Sequence, residues 1–212
     1  MLAVPRVPPF DRRATYKDLE KLPPELVAEI VDGELHASPR PAPRHAWASS
    51  RLMSRVGPPY ADGHGGPGGW VILVEPEVHL RKDVLVPDLA GWRRARLPRL
   101  PATAYFSVAP DWVCEVISPS TVALDRAKKL SIYGREGVCH LWLIDPVARI
   151  VEVFRLVRRR WTVAATHAGN ETVRLGPFNE FELDLSALWS DDAAAPAAKR
   201  ARRPPRPGRR AR

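Results

Sequence analysis

Glu115 is a carboxylate inside an apolar run, WVCEVI, over residues 112–117. A short run of that kind reads as a strand buried on both faces of a sheet. An ionised carboxylate there costs several kcal/mol in order of magnitude unless a cation, a metal or hydrogen-bond donors compensate it. Catalysis is the leading reason for a chain to keep one. Asp88 is the second such acid: the apolar run 84–86 enters Pro87-Asp88 directly, and a proline on a strand favours an edge or a bulge that redirects a side chain toward a site. Lys129 is the candidate cation, sharing one helix face with Asp125 and Tyr133 at four-residue intervals. His45 in the first turn of a helix is an auxiliary base candidate, as are Glu29 on a strand and Glu34 just past a turn. Their ordinary alternatives are a packed or surface histidine and solvent-facing strand carboxylates. Cys114, Cys139 and His140 have no CxxC or HxxxH spacing, and the two cysteines are read as small hydrophobes in the strands.

The elements that position these groups centre on residues 111–146, which read as strand, turn, helix, strand. Ser118-Pro119-Ser120-Thr121 breaks the first strand and offers hydroxyl caps for a helix over about 121–135, with Gly134 and Gly137 as its stop. Leu124, Ala127 and Leu130 are expected on its packed side. A second apolar strand over 140–144 completes a βαβ-like unit, in which Lys129 leans back over the sheet toward Glu115. Upstream, Thr15 and Asp18 mark a short capped helix near 15–21. Strands over 27–31 and 34–37 flank Asp32-Gly33, a favourable two-residue hairpin turn. A helix is expected over 43–56, with Trp47, Leu52 and Val56 on its apolar side and Pro58-Pro59 ending it. The following DGHGGPGG lacks the GK[ST] ending of a phosphate loop and reads as a connector. From Trp70 the pattern is extended, with alternation at 77–80, a charged turn at 81–83 and the run into Asp88. Beyond Pro146, four segments read as a meander turning at Arg158, Arg159 and Arg160, at Gly169-Asn170 and at Gly176-Pro177.

Two hundred and twelve residues, 45% of them hydrophobic, suit one domain that folds alone or as a simple oligomer such as a homodimer. No apolar run approaches the ~18 residues of a membrane span, and the start lacks the apolar region of a secretory signal, so the expected location is cytoplasmic, away from membranes. The net charge of +9 is localised: residues 193–212 carry eight positive side chains and no acid, leaving about +1 on residues 1–192. The expected division is an N-terminal extension over 1–24, a folded domain over 25–192 and a disordered basic tail over 193–212. Such a tail contacts phosphate backbones or only aids solubility.

Pro87-Asp88, then Glu115 within a strand, then a lysine follows the order of the PD-(D/E)xK nuclease pattern. The chain more closely resembles the bacterial Uma-two-type restriction endonuclease family of that superfamily. The resemblance runs from about Glu29 to Pro146, through EIVDGELHASPRPAPRH, VPDLAGW, CEVISPST and DRAKKLSIYGREGVCHLWLIDP. The usual superfamily lysine lies two residues after the glutamate, where this chain has Ile117, and the resemblance transfers its role to Lys129. It implies an α/β fold of the restriction-endonuclease-like type, a mixed central sheet flanked by helices with additional β-hairpins. It also implies an endonuclease acting on nucleic acid, with DNA the expected substrate, and metal ligation by Asp88, Glu115 and the backbone carbonyl of Val116. Two carboxylates suit Mg²⁺, with Mn²⁺ as the alternative, and leave positions for water and phosphate. The competing expectation is a noncatalytic nucleic-acid-binding or assembly protein that retains the fold.

Overall fold

The computed structural model describes residues 13–118 and 121–189. The expected basic tail and the first twelve residues of the expected extension lie outside these. In chain order the elements are α1 (Tyr16–Leu19), β1 (Leu26–Val31), β2 (Glu34–Pro39), α2 (Pro43–Val56), β3 (Trp70–Val74), β4 (Val78–Leu80), β5 (Asp83–Leu85), β6 (Leu89–Arg93) and β7 (Trp112–Val116). They continue with α3 (Leu130–Arg135), β8 (His140–Asp145), β9 (Ile150–Val157), β10 (Arg160–Ala168), β11 (Thr172–Leu175) and β12 (Phe178–Asp184).

A six-stranded mixed sheet, ordered β10-β9-β8-β7-β6-β3, forms the centre of the fold. Within it β7 and β8 are the parallel pair, joined by the α3 crossover, and the other neighbours run antiparallel. A four-stranded sheet, β2-β1-β5-β4, and the β11–β12 pair complete the architecture. The β1–β2 hairpin forms where the Asp32-Gly33 signal places it, with both turn residues at positive φ, 53° and 84°, as a tight turn matching strand twist requires. Residues 13–24, expected as an extension, pack on the body in their described part: Ala14 N–H donates to the Gly33 carbonyl, and the Tyr16 ring meets His79 and Tyr105.

Alternation along β7 divides the core. Trp112, Cys114 and Val116 face α2 and the β11–β12 pair, where Trp70, Trp142 and Phe178 gather edge to face. Val113 and Ile117 face the opposite side, among Trp92, Leu141, Leu143 and the α3 residues Ile132 and Tyr133. Glu115 has the parity of this second side.

Several local expectations change. Pro58-Pro59 does not end the helix. The chain widens into a π turn over Gly57–Asp62 and stops at Gly63, where φ is 73°, because prolines without an N–H disrupt the narrower α ladder but are carried through a wider turn. Trp47 is 43% exposed instead of lying in the core, with Arg51 over its ring. The helix after β7 contains a π turn, Leu124–Lys129, before α3. Leu124 and Leu130 pack against the core as expected, but Ala127 is exposed and the fully buried side chains are Asp125, Lys129, Ile132 and Tyr133. Carboxylates on the facing strands compensate Lys129, so a charged face can be the buried one. Cys114 is buried as expected, but Cys139 is exposed just before β8.

Candidate active site

The β6–β7 register sets the two acids side by side. Leu89 pairs with Cys114 and Ala90 with Val113, so one step past the last rung Asp88 stands opposite Glu115, where directly opposed residues have Cβ atoms about 4.5–5.5 Å apart. Asp88 is fixed there by its own surroundings: Oδ2 accepts the Val116 N–H at 2.6 Å, and its backbone carbonyl accepts the Glu75 N–H at 3.0 Å. Its Oδ1 lies 3.2 Å from His45 Nε2, which α2 brings over the end of the sheet. Burial pulls the His45 pKa down, but the hydrogen bond to Asp88 and the nearby negative charge outweigh it, so the net shift is upward.

Deeper in, Lys129 Nζ is 3.1 Å from Glu115 Oε1, 2.9 Å from Glu29 Oε1 and 3.4 Å from Asp125 Oδ1. The Lys129 side chain is 5% exposed and that of Glu115 3%. Tyr133 donates its hydroxyl to Glu115 Oε1 at 2.7 Å, and Val86 N–H donates to Glu29 Oε1 at 2.8 Å. Thus β7 contributes Glu115, the helix over it Asp125, Lys129 and Tyr133, and β1 of the smaller sheet Glu29. Burial raises the Glu115 pKa well above the carboxylate range. Lys129 opposes that rise, while Asp125, Asp88 and Glu29 add to it. Burial also raises that of Glu29, against Lys129 and the Val86 N–H. For Lys129 burial acts downward, but Glu115 and Glu29 outweigh it and the net shift is well upward. The upward shifts of Glu115 and Lys129 compete within one contact, and the number of partners decides between them. Three carboxylates surround one ammonium, so the lysine keeps its proton, while burial favours the neutral forms of Glu115 and Glu29.

These groups open on a cavity of about 230 Å³ whose wall includes Glu29, His45, Asp88, Glu115, Val116 and Lys129. It sits at the carboxyl end of β7, the usual place for a ligand crevice beside a parallel strand pair. Glu34 is elsewhere: its side chain is 64% exposed and pairs with Lys128. Asp125, one helical turn from Lys129 where an exposed ion pair is the ordinary expectation and steering the lysine the functional one, is buried in the cluster, as is Tyr133 on the same face. Their four-residue spacing was the signal.

Among the described residues no group of three or more His, Cys, Asp or Glu side chains is set out to hold a metal ion. Mg²⁺ does not need one, since it is bound by one or two carboxylates with waters and substrate phosphate filling the rest of its shell. Adjacent Asp88 and Glu115 meet that requirement. Among the described residues no helix is long and apolar enough to cross a membrane.

A family model named Uma2, described as "Putative restriction endonuclease", matches residues 13–186. A crystal structure described as a putative nuclease belonging to DUF820 from Anabaena variabilis ATCC 29413 is similar in fold, with a TM-score of 0.67 and 23% sequence identity. The match covers 83% of this chain and 97% of that one. No curated protein matches the chain.

Proposed function

The chain belongs to the Uma2 family, and on that membership together with the geometry of the buried cluster we propose that it is a Mg²⁺-dependent endonuclease hydrolysing DNA phosphodiester bonds. The observation that carries the proposal is Asp88 and Glu115 opposed at one end of the sheet, with the Lys129 ammonium 3.1 Å from Glu115 and all three on one cavity wall. Asp88, Glu115 and the Val116 carbonyl would hold the metal, and Mn²⁺ would serve in its place. When bound, the cation polarises the phosphodiester and lowers the pKa of a water molecule.

The protein's own residues do the rest. Lys129 presents a fixed positive charge to the attacking water or the scissile phosphate, where a preorganised charge in a recessed site acts more strongly than it would in water. Glu29 and Asp125 keep that ammonium protonated and in place when a Glu115 oxygen is used elsewhere. Tyr133 orients Glu115 through its hydroxyl, and His45 orients Asp88 through Nε2.

Purified protein should cleave DNA oligonucleotides with Mg²⁺ and not in EDTA, and Asp88→Ala should abolish the cleavage. RNA of the same sequence should be cut more slowly. Equal cleavage by wild type and Asp88→Ala would remove the assignment, and binding without cleavage under any divalent cation would favour the noncatalytic alternative.

A further inference from the structure

A second cavity, of about 360 Å³, adjoins the first. The two share Val27, Arg40, Glu75 and Val86 in their walls, so the Arg40–Glu75 ion pair, 3.4 Å long, is part of the common boundary. Beyond these, Leu19, Leu22, Pro23, Pro24 and Leu26 form an apolar side of the second cavity, and Glu20 and Glu77 add carboxylates to its wall. Two features show the boundary to be a built element. Glu75 is a non-glycine residue at φ 47°, a conformation that persists where surrounding structure over-determines it, and its N–H is tied to the Asp88 carbonyl. Arg40 has its side chain 62% exposed and also reaches the Pro24 carbonyl, at 3.5 Å, so it stands at both mouths.

We propose that this second cavity receives the unstacked base next to the scissile phosphate, with Arg40 moving from Glu75 to the backbone phosphate between them, so that the substrate is a single-stranded nucleic acid. The proposal rests on the nuclease reading of the first cavity. Two observations favour one flexible strand over a duplex. The acids and lysine are recessed, with Glu115 3% and Lys129 5% exposed, whereas a duplex carries its phosphates on the outside of a stiff rod. Second, the apolar side of a cavity beside a phosphate site fits the face of a splayed base, while the Glu75 and Glu77 carboxylates on its wall accept from base amino groups and repel a second phosphate. Unstacking costs least in a strand that is not paired.

The test uses the full chain and three fluorescein-labelled oligonucleotides of one sequence: a single strand, its blunt duplex, and the single strand with one central abasic position. DNA and RNA versions of the single strand separate the two sources of the same chemistry. Anisotropy in EDTA should show the intact single strand bound at least about tenfold more tightly than the duplex, and the abasic strand weakened severalfold. With Mg²⁺, Arg40→Gln should raise KM for the single strand about tenfold and leave kcat within a factor of about three, the pattern of a lost substrate contact. Because Arg40 is exposed, the variant should retain the wild-type melting temperature. Equal affinity for duplex and single strand, or no effect of the abasic position, would overturn the proposal. Failure of the nuclease reading looks different: the binding preference and the abasic effect persist, but no cleavage accompanies them.

Discussion

Replacing Lys129 by methionine keeps an unbranched chain only one atom shorter and removes its charge. Three carboxylate oxygens lie 2.9, 3.1 and 3.4 Å from the ammonium they would lose, and at 5% side-chain exposure water from the cavity replaces hydrogen bonds but not the charge. Removing one partner from a buried ionic contact costs about 3–5 kcal/mol. Protonation of one or two of the acids relieves part of that, so the lower end is expected near neutral pH and less below it. At ~2–4 °C per kcal/mol for a domain of this size, the melting temperature should fall by about 6–12 °C. Arg174→Ala is the control, since its pair with Glu182 is 53% and 62% exposed and surface pairs are worth about 0–1 kcal/mol. Urea unfolding with and without Mg²⁺ is the assay. Mg²⁺ should restore more stability to Lys129→Met than to wild type, because the cation offsets the exposed carboxylates; saturation at a hundredfold above Kd is worth about 2.7 kcal/mol. If Lys129→Met is within ~0.5 kcal/mol of wild type, the lysine is not offsetting the acids and the electrostatic account of the site fails.

Gly134→Ala should destabilise by about 1–3 kcal/mol through overpacking, because an added Cβ would stand 3.0 Å from Trp161 Nε1, which donates to the Leu130 carbonyl; unfolding curves that overlay wild type would show that the ring can move aside. Burial, then the hydrogen bond and charge of Glu77, raise the Tyr16 pKa from 10.0 to about 12. The unfolded chain therefore loses that proton first, so its contribution is intact below pH 10 and disappears as pH rises toward 12. Tyr16→Phe should flatten this part of the stability profile, and an unchanged slope would refute the assignment. Glu34→Ala should leave cleavage unchanged and stability within about 0.5 kcal/mol, since the side chain is 64% exposed and off the cavity wall; a strong loss of cleavage would return it to the site.

Much of the scaffold was legible because it depends on short-range pattern. The Asp32-Gly33 turn, the helix over Pro43–Val56 and the apolar runs at β7 and β8 each announce themselves within a few residues. The π turns were not legible, since nothing in GPPYAD or LDRAKK distinguishes a widened helix from a helix end or an ordinary turn. The buried face of the helix over β7 was legible only in part, Leu124 and Leu130 packing as expected while Ala127 does not, for a related reason. Periodicity groups Asp125, Lys129 and Tyr133 correctly but cannot say that a charged face is the packed one, because that depends on Glu115 and Glu29 from other elements. Glu29 shows the same limit. On its strand it resembles an exposed carboxylate, and only the packing of the smaller sheet against the helix brings it 2.9 Å from Lys129.

The central claim is that Asp88 and Glu115 jointly hold a divalent cation beside Lys129. Crystals grown with Mn²⁺ and measured at its absorption edge test it without reference to substrate or rate. A single anomalous peak within bonding distance of an oxygen from each acid, about 2.1 Å as for the Mg²⁺ it replaces, is the expected result, with Lys129 Nζ still against Glu29. A map with no peak between Asp88 and Glu115 at saturating Mn²⁺, or with the metal bound elsewhere, would contradict the account.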